Sequence, residues 1–133
     1  MKRRALLSAP TLVPLVGCTS SSPATIEIEE LDIENTDLEP HTLGISISSS
    51  DGIVFHELIE IERSRRAGGT THAGHRTLNL PELHDTYFEV TAIGPDAAQW
   101  DTSAITKNLT LKVKVVIRSA EDVTIYVNGR SPE

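Results

Sequence analysis

The sequence predicts an all-β domain, an antiparallel two-sheet sandwich of about seven or eight strands that is immunoglobulin-like in the loose sense. A small β-barrel is the alternative. Three observations predict this class. Apolar residues recur at every second position after Thr25, turn-forming residues separate the apolar segments, and no window has the period of an amphipathic helix. We expect one domain over residues 25–133.

The first predicted strand, residues 26–33, changes phase in its middle. Ile26 and Ile28 share one parity, whereas Leu31 and Ile33 share the other. A β-bulge at Glu29-Glu30 would bring all four apolar side chains to the core face. The strand would then carry an outward acidic ridge, which consists of Glu27, Glu29, Glu30, Asp32 and Glu34. Such a ridge either holds a hard cation such as Ca²⁺ or discourages edge-to-edge aggregation, and the absence of a recognisable ligand loop favours the second interpretation.

Several further strands follow along the chain. Residues 43–47 alternate, and Asp51-Gly52 is a hairpin turn signal before the apolar residues 53–55. Shorter strands are expected at residues 58–63 and 76–80. Another strand, residues 87–93, ends at a Gly-Pro-Asp turn. Trp100 is expected in the core.

The clearest strand covers residues 109–118, where one face carries Leu109, Leu111, Val113, Val115 and Ile117, and the other carries Thr110, Lys112, Lys114 and Arg118. The alternation returns at residues 123–127 after the turn-rich spacer 119–122. A spacer of this length predicts an antiparallel hairpin between the two segments.

The start of the chain has the features of an export signal. Lys2-Arg3-Arg4 precedes an apolar stretch, residues 5–17, that is shorter than the roughly 20 residues needed to span a bilayer. The residues Leu15, Val16, Gly17 and Cys18 resemble the lipobox of bacterial and archaeal lipoproteins, which implies lipidation of Cys18 and cleavage before it. Arg3-Arg4 also resembles a twin-arginine export signal. We therefore expect a signal peptide at residues 1–17, and a lipidated cysteine with a Ser-rich tether at residues 18–24.

The export signal, the lipobox, the tether and one acidic all-β domain together resemble the small predicted lipoproteins of halophilic archaea. Within the domain, residues 33–37, followed by Pro40-His41-Thr42-Leu43 and Ile45, are similar to a turn and strand start of those proteins. The resemblance implies an immunoglobulin-like sandwich and a lipid-anchored location at the extracytoplasmic face of the cell membrane. It implies no activity.

Charge and cysteine content exclude several classes of function. The formal net charge is −7, and removal of Lys2, Arg3 and Arg4 with the signal would take it to −10. An acidic surface of this kind argues against a nucleic-acid partner, since phosphates are bound by Lys and Arg. Cys18 is the only cysteine, which excludes an intrachain disulfide and a blue-copper site in the domain.

Nucleotide and hydrolase motifs are weak or missing. The glycines at residues 68, 69 and 74 do not have the spacing of a phosphate-binding loop. His84-Asp85 looks like half of a catalytic triad, but no G-x-S-x-G nucleophile elbow occurs. The sequence names no catalytic residue, and an enzyme on a sandwich scaffold is the third hypothesis.

Residues 63–76 invert the local charge of an acidic protein. The segment carries four candidate residues for docking of an anion or acidic partner, which are Arg63, Arg65, Arg66 and Arg76. A metal ion is the alternative ligand, held by His72, His75 and His84 or a carboxylate. The third interpretation is a solvated, mobile hairpin loop.

The leading functional prediction is a membrane-anchored extracytoplasmic module that is not an enzyme and that binds an unknown protein or surface partner. It has the membrane as a partner through Cys18, no nucleic-acid partner and no cofactor. The second hypothesis is a surface lipoprotein that binds a metal ion through its histidine loop.

Overall fold

The computed structural model describes residues 23–132. Over this range the chain forms β-strands and no helix. The strands are β1 (Ile26–Asn35), β2 (His41–Ser49), β3 (Gly52–Ile61), β4 (Arg65–Ala67), β5 (Thr70–His72), β6 (Gly74–Leu78), β7 (Leu83–Asp85), β8 (Phe88–Ile93), β9 (Ala97–Asp101), β10 (Leu109–Ser119) and β11 (Asp122–Arg130).

The strands form two main sheets. Sheet I has the order β11-β10-β1-β6, and β7 also pairs with β1. Sheet II has the order β9-β8-β2-β3, and β4 and β5 form a separate two-stranded hairpin. The sheets are open, which confirms the all-β sandwich and shows that the barrel alternative is wrong.

One strand pair departs from the antiparallel expectation. β10 pairs with β1 in parallel, from Leu109 opposite Ile26 to Ile117 opposite Asn35. The other strand pairs of the described residues are antiparallel. Parallel neighbours need a long crossover connection, and here the whole of sheet II lies between β1 and β10 in the chain.

The bulge in β1 is confirmed. Leu111 of β10 lies opposite Ile28, while the next residue, Lys112, lies opposite Glu30, so Glu29 is the extra residue. All four apolar side chains that the bulge was expected to align are at most 1% exposed: Ile26, Ile28, Leu31 and Ile33. The local phase break in the sequence therefore corresponds to a real irregularity in the ladder.

The hairpins at residues 51–52 and 119–122 are also confirmed. In the first, Ser49 pairs with Gly52, which has a φ of 124°. The apolar residues 53–55 and most of the expected strand 58–63 belong to one strand, β3, which has a bulge at Val54 and ends at Ile61. The described residues form eleven strands instead of seven or eight, since the short strands β4, β5, β7 and β9 carry too few residues to show a period. The five-residue β6 spans Gly74–Leu78 instead of the expected residues 76–80.

The core lies between the inner faces of the two sheets, and Phe88 is one of its largest fully buried side chains. Trp100 of β9 is partly buried and packs against this core, in agreement with its expected position.

Candidate functional site

Some predicted functional residues lie outside the described residues. They are Arg3, Arg4, Leu15, Val16, Gly17 and Cys18, together with the tether up to Ser22. From residue 23 to residue 132, no helix is long and apolar enough to cross a membrane.

The arginine-rich segment forms a tight hairpin, which we call the docking hairpin (residues 63–73). β4 and β5 pair from Arg65 opposite His72 to Ala67 opposite Thr70. Gly68 and Gly69 connect them with φ values of 60° and 82°, which is the positive-φ pair that a two-residue hairpin turn requires. Every residue of β4 and β5 is exposed, so the hairpin presents its side chains to solvent.

The base of the docking hairpin is fixed to the sandwich by Ser64. This residue is only 2% exposed. Its amide N donates to the carbonyl oxygen of Asp37 at 2.8 Å. Its Oγ lies within hydrogen-bond distance of the carbonyl oxygens of Asp37 (2.9 Å) and Thr36 (3.2 Å). The entry to the hairpin is therefore tied to the turn after β1.

The exit of the docking hairpin is fixed by close backbone packing at Gly74. A Cβ atom added at Gly74 would lie 1.9 Å from the carbonyl oxygen of Glu62. Only glycine allows this approach of β6 to the segment that follows β3. The two ends of the hairpin are therefore held close to the body of the domain.

Asn35, the last residue of β1, organises the same junction and is fully buried. Its Nδ2 donates to the carbonyl oxygens of Glu39 (2.8 Å) and Glu62 (2.9 Å), and its Oδ1 accepts from the amide of Asp37 (3.0 Å). Sequence reasoning missed this role. The signal was an Asn at the end of a strand, where its side chain can close an Asx turn.

The four arginines expected to dock a partner do not share one environment. Arg63, Arg65 and Arg66 belong to the docking hairpin and are exposed, and the one ion pair among them within residues 23–132 joins Arg65 Nη1 to Glu62 Oε1 at 3.9 Å. Arg76 lies on β6, and its Nη1 donates to the carbonyl oxygen of Glu60 at 3.4 Å. Arg76 therefore bridges the edges of the two sheets instead of extending the hairpin surface.

The three histidines expected to bind a metal lie at separate positions. His72 is on the docking hairpin, while His75 Nε2 is 3.8 Å from Asp32 Oδ1. His84 Nε2 is 3.8 Å from Glu82 Oε2 and 3.9 Å from Glu27 Oε2. In the described part of the chain, no group of three or more His, Cys, Asp or Glu side chains could hold a metal ion.

The acidic ridge of β1 faces outward, and basic side chains of neighbouring strands lie beside it. Arg130 Nη2 lies 2.8 Å from Glu29 Oε1, and Lys112 Nζ lies 3.9 Å from Glu29 Oε2. Lys114 Nζ lies 3.9 Å from Glu34 Oε1. The ridge is thus part of a ladder of opposite charges across sheet I.

Two carboxylates of the ridge interact with each other. A hydrogen bond with Asp32, reinforced by the negative charge of Asp32, raises the pKa of Glu30 above its ordinary value. Like charges disfavour ionisation of the second carboxyl, so this pair holds a proton more readily than an isolated glutamate.

His84 and Asp85 do not form the start of a triad in this structure. Asp85 Oδ1 accepts from the amide of Thr86 at 2.6 Å and lies 3.3 Å from Ser50 Oγ, and these hydrogen bonds lower the pKa of Asp85. The ring of His84 lies near two glutamates instead, Glu27 and Glu82.

No protein-family model matches the chain, and no curated protein matches it. Fold and geometry define the class: an all-β protein of open sandwich architecture.

Proposed function

We propose that this protein is a membrane-anchored extracytoplasmic lipoprotein, not an enzyme, that binds an acidic partner through the docking hairpin. One observation carries the proposal. The hairpin exposes Arg65 and Arg66 at its surface, while buried Ser64 and Gly74 fix its two ends to the sandwich.

Exposed arginines on a fixed hairpin suit a carboxylate-rich surface. The planar guanidinium donates two parallel hydrogen bonds to a carboxylate, and it does so best when the backbone that carries it is held in place. Arg63 and Arg66 have no carboxylate within ion-pair distance among residues 23–132, so their donors are not taken up by the rest of the described domain. An acidic partner supplies carboxylate acceptors in place of water.

Anchoring through Cys18 is the second part of the proposal, and the sequence supports it. The lipobox residues end at Cys18, and β1 begins at Ile26, so a short tether separates the lipid from the sandwich. The metal-binding alternative is less well supported, because His72, His75 and His84 lie apart.

The docking hairpin is tested with the double variant Arg65→Ser/Arg66→Ser. Since both side chains are exposed, we expect the free energy of unfolding to change by less than about 0.5 kcal/mol. We expect association with the partner, measured by surface crosslinking and pull-down from membranes, to weaken by roughly ten- to a hundredfold. Lys107→Ser is the matched control, because it removes an exposed positive charge from another loop.

An unfolded double variant would show that the arginines are structural. A folded variant that retains every crosslink would refute docking by the hairpin.

Anchoring is tested with Cys18→Ser. We expect this variant to fold normally but to lose membrane retention or to keep its signal peptide, because the cysteine carries the lipid. Cell fractionation and the mass of the N-terminal peptide provide the measurement. Normal processing with unchanged retention in the membrane would contradict lipidation of Cys18.

A further inference from the structure

β3 is an edge strand of sheet II. Its one ladder partner among the described strands is β2. β3 also contacts β1 and β6 of sheet I, and the opposite edge of sheet II, β9, lies against β11 of sheet I. A long edge strand with free backbone groups is a template for pairing with another chain unless charges, prolines or bulges protect it.

The regular part of this edge is shorter than the strand. The bulge at Val54 interrupts the ladder, so regular pairing with β2 extends from Phe55 to Ile61. The carbonyl oxygen of Glu60 accepts a hydrogen bond from Arg76, which belongs to the other sheet, so this carbonyl points away from β2. The exposed side chain of Arg76 must turn away from this carbonyl when a second strand pairs there. Backbone groups alternate along a strand, and those of Leu58 therefore also point to the free edge.

The side chains around the centre of this edge are apolar. Leu58 is 72% exposed, and Ile93 and Ile53 are 62% and 67% exposed. Together with Gly44 and Ser46 of β2, they line an open groove of about 400 Å³ on the outer face of sheet II. Leu58 lies on the unpaired edge itself, whereas Ile93 lies on β8 with β2 between it and the edge, so pairing of edges and packing of outer faces involve different side chains.

We propose that a second copy of this chain pairs with β3 in antiparallel orientation about a two-fold axis at Leu58. The pairing joins the two copies of sheet II into one continuous sheet. It places Leu58 opposite the partner's Leu58, and Phe55 opposite the partner's Ile61. A C₂ interface of this kind requires self-complementarity, which the edge strand has.

A His–Glu contact and the avoidance of like charges favour this register. With the axis at Leu58, His56 lies opposite the partner's Glu60, and this contact occurs twice by symmetry. With the axis at Glu57, each Glu57 would lie directly opposite its own copy, which is unfavourable. Leu58 is also the midpoint of the regular segment from Phe55 to Ile61, so the favoured register uses the whole of it.

The proposal concerns a surface other than the docking hairpin and does not rest on the proposed function. The test is the oligomeric state of the full chain, measured by sedimentation equilibrium over a wide concentration range in detergent and under reducing conditions. We expect a concentration-dependent dimer. Leu58→Lys places two positive charges on the axis, and we expect the dissociation constant of the dimer to rise by roughly a hundredfold.

Two matched variants make the test specific. Leu38→Lys adds the same charge at a side chain that is 70% exposed in the turn before β2, and the dimer should persist. Ile93→Lys, on the outer face of sheet II but not on β3, should affect the dimer much less than Leu58→Lys. An equal loss with Ile93→Lys would show that the faces pack instead of the edges, and would overturn the proposal.

A charge exchange tests the register itself. His56→Glu should weaken the dimer, because the introduced carboxylate would then lie opposite the carboxylate of the partner's Glu60. Adding Glu60→Lys to this variant should restore the dimer. A chain that is monomeric at every concentration, or a double variant that is not restored, would overturn the proposal.

Discussion

The outer faces of the two sheets differ sharply, although both sheets contribute their inner faces to one core. Sheet I carries charge on its outer face: the acidic ridge of β1 lies beside Lys112, Lys114 and Arg130. Sheet II carries exposed Leu58 and Ile93 on its outer face, next to a free strand edge.

This difference shows that the alternation of apolar residues determines the sandwich fold. It does not determine which side chains the outer faces present or what those faces can bind. On sheet I, paired charges satisfy one another and keep most of the surface hydrated, and Tyr126 of β11 is 45% exposed among them. On sheet II, exposed apolar side chains and unpaired backbone groups are costly in isolation and favour contact with another chain.

The largest loss of stability is expected from a deletion of Asp32 in β1. Removing Asp32 would turn Ile33 from the core to the outer face of sheet I and displace Asn35. We expect a loss of at least about 5 kcal/mol, which approaches the total stability of a small domain, and no cooperative thermal transition. Circular dichroism and calorimetry measure the thermal transition and the loss of stability.

Deletion of Glu29 is the matched control. It removes the bulge residue, so Ile28 and Leu31 would keep the same inward parity in a regular ladder. The loss should be about 1 kcal/mol or less, from the surface contacts with Arg130 and Lys112. Equal damage from both deletions would contradict the bulge.

A smaller loss of stability is expected from a substitution at the junction of the two sheets. Asn35→Ala would remove the fully buried side chain that bonds the carbonyl oxygen of Glu62 and the amide of Asp37. We expect the free energy of unfolding to fall by about 2–4 kcal/mol in urea titrations. Asn128→Ala, at an exposed position of β11, is the control and should change it by less than about 0.5 kcal/mol. If Asn35→Ala also changed the free energy of unfolding by less than about 0.5 kcal/mol, water would replace the hydrogen bonds of the Asn35 side chain.

The smallest effect is a difference in pH dependence between Asp37 and Glu30. Hydrogen bonds from His41 and the amide of Leu38 lower the pKa of Asp37. Its contribution to stability is therefore present above the pKa of the unfolded chain and is lost as pH falls through the folded value. The raised pKa of Glu30 acts in the opposite sense, so its contribution is present in acid and is lost as pH rises through the folded value.

Urea unfolding at a series of acidic and neutral pH values separates the two groups. Asp37→Asn should make the loss of stability on acidification less steep, and Glu30→Gln should make it steeper. The same slope for both variants and the parent would show that neither carboxyl differs between the folded and unfolded chain.

Much of the fold could be predicted from local pattern. The phase break around Glu29 predicted the bulge, because only one parity can face the core of a sandwich. The Asp51-Gly52 turn and the alternation of residues 109–117 predicted two hairpins that the structure contains. The candidate site was found only in part: the arginines marked the docking hairpin, but Arg76 belongs to the contact between the sheets.

By itself, the sequence determined the strand class, the inward parity of β1 and the position of the charged hairpin, since these depend on side-chain period and turn chemistry within a few residues. The tertiary structure alone decided the parallel pairing of β1 with β10 and the placement of basic side chains beside the acidic ridge. It also decided the burial of Asn35 and the free edge at β3. Each of these depends on which distant segments become neighbours, and the free energy that selects those neighbours comes from burial of one shared core.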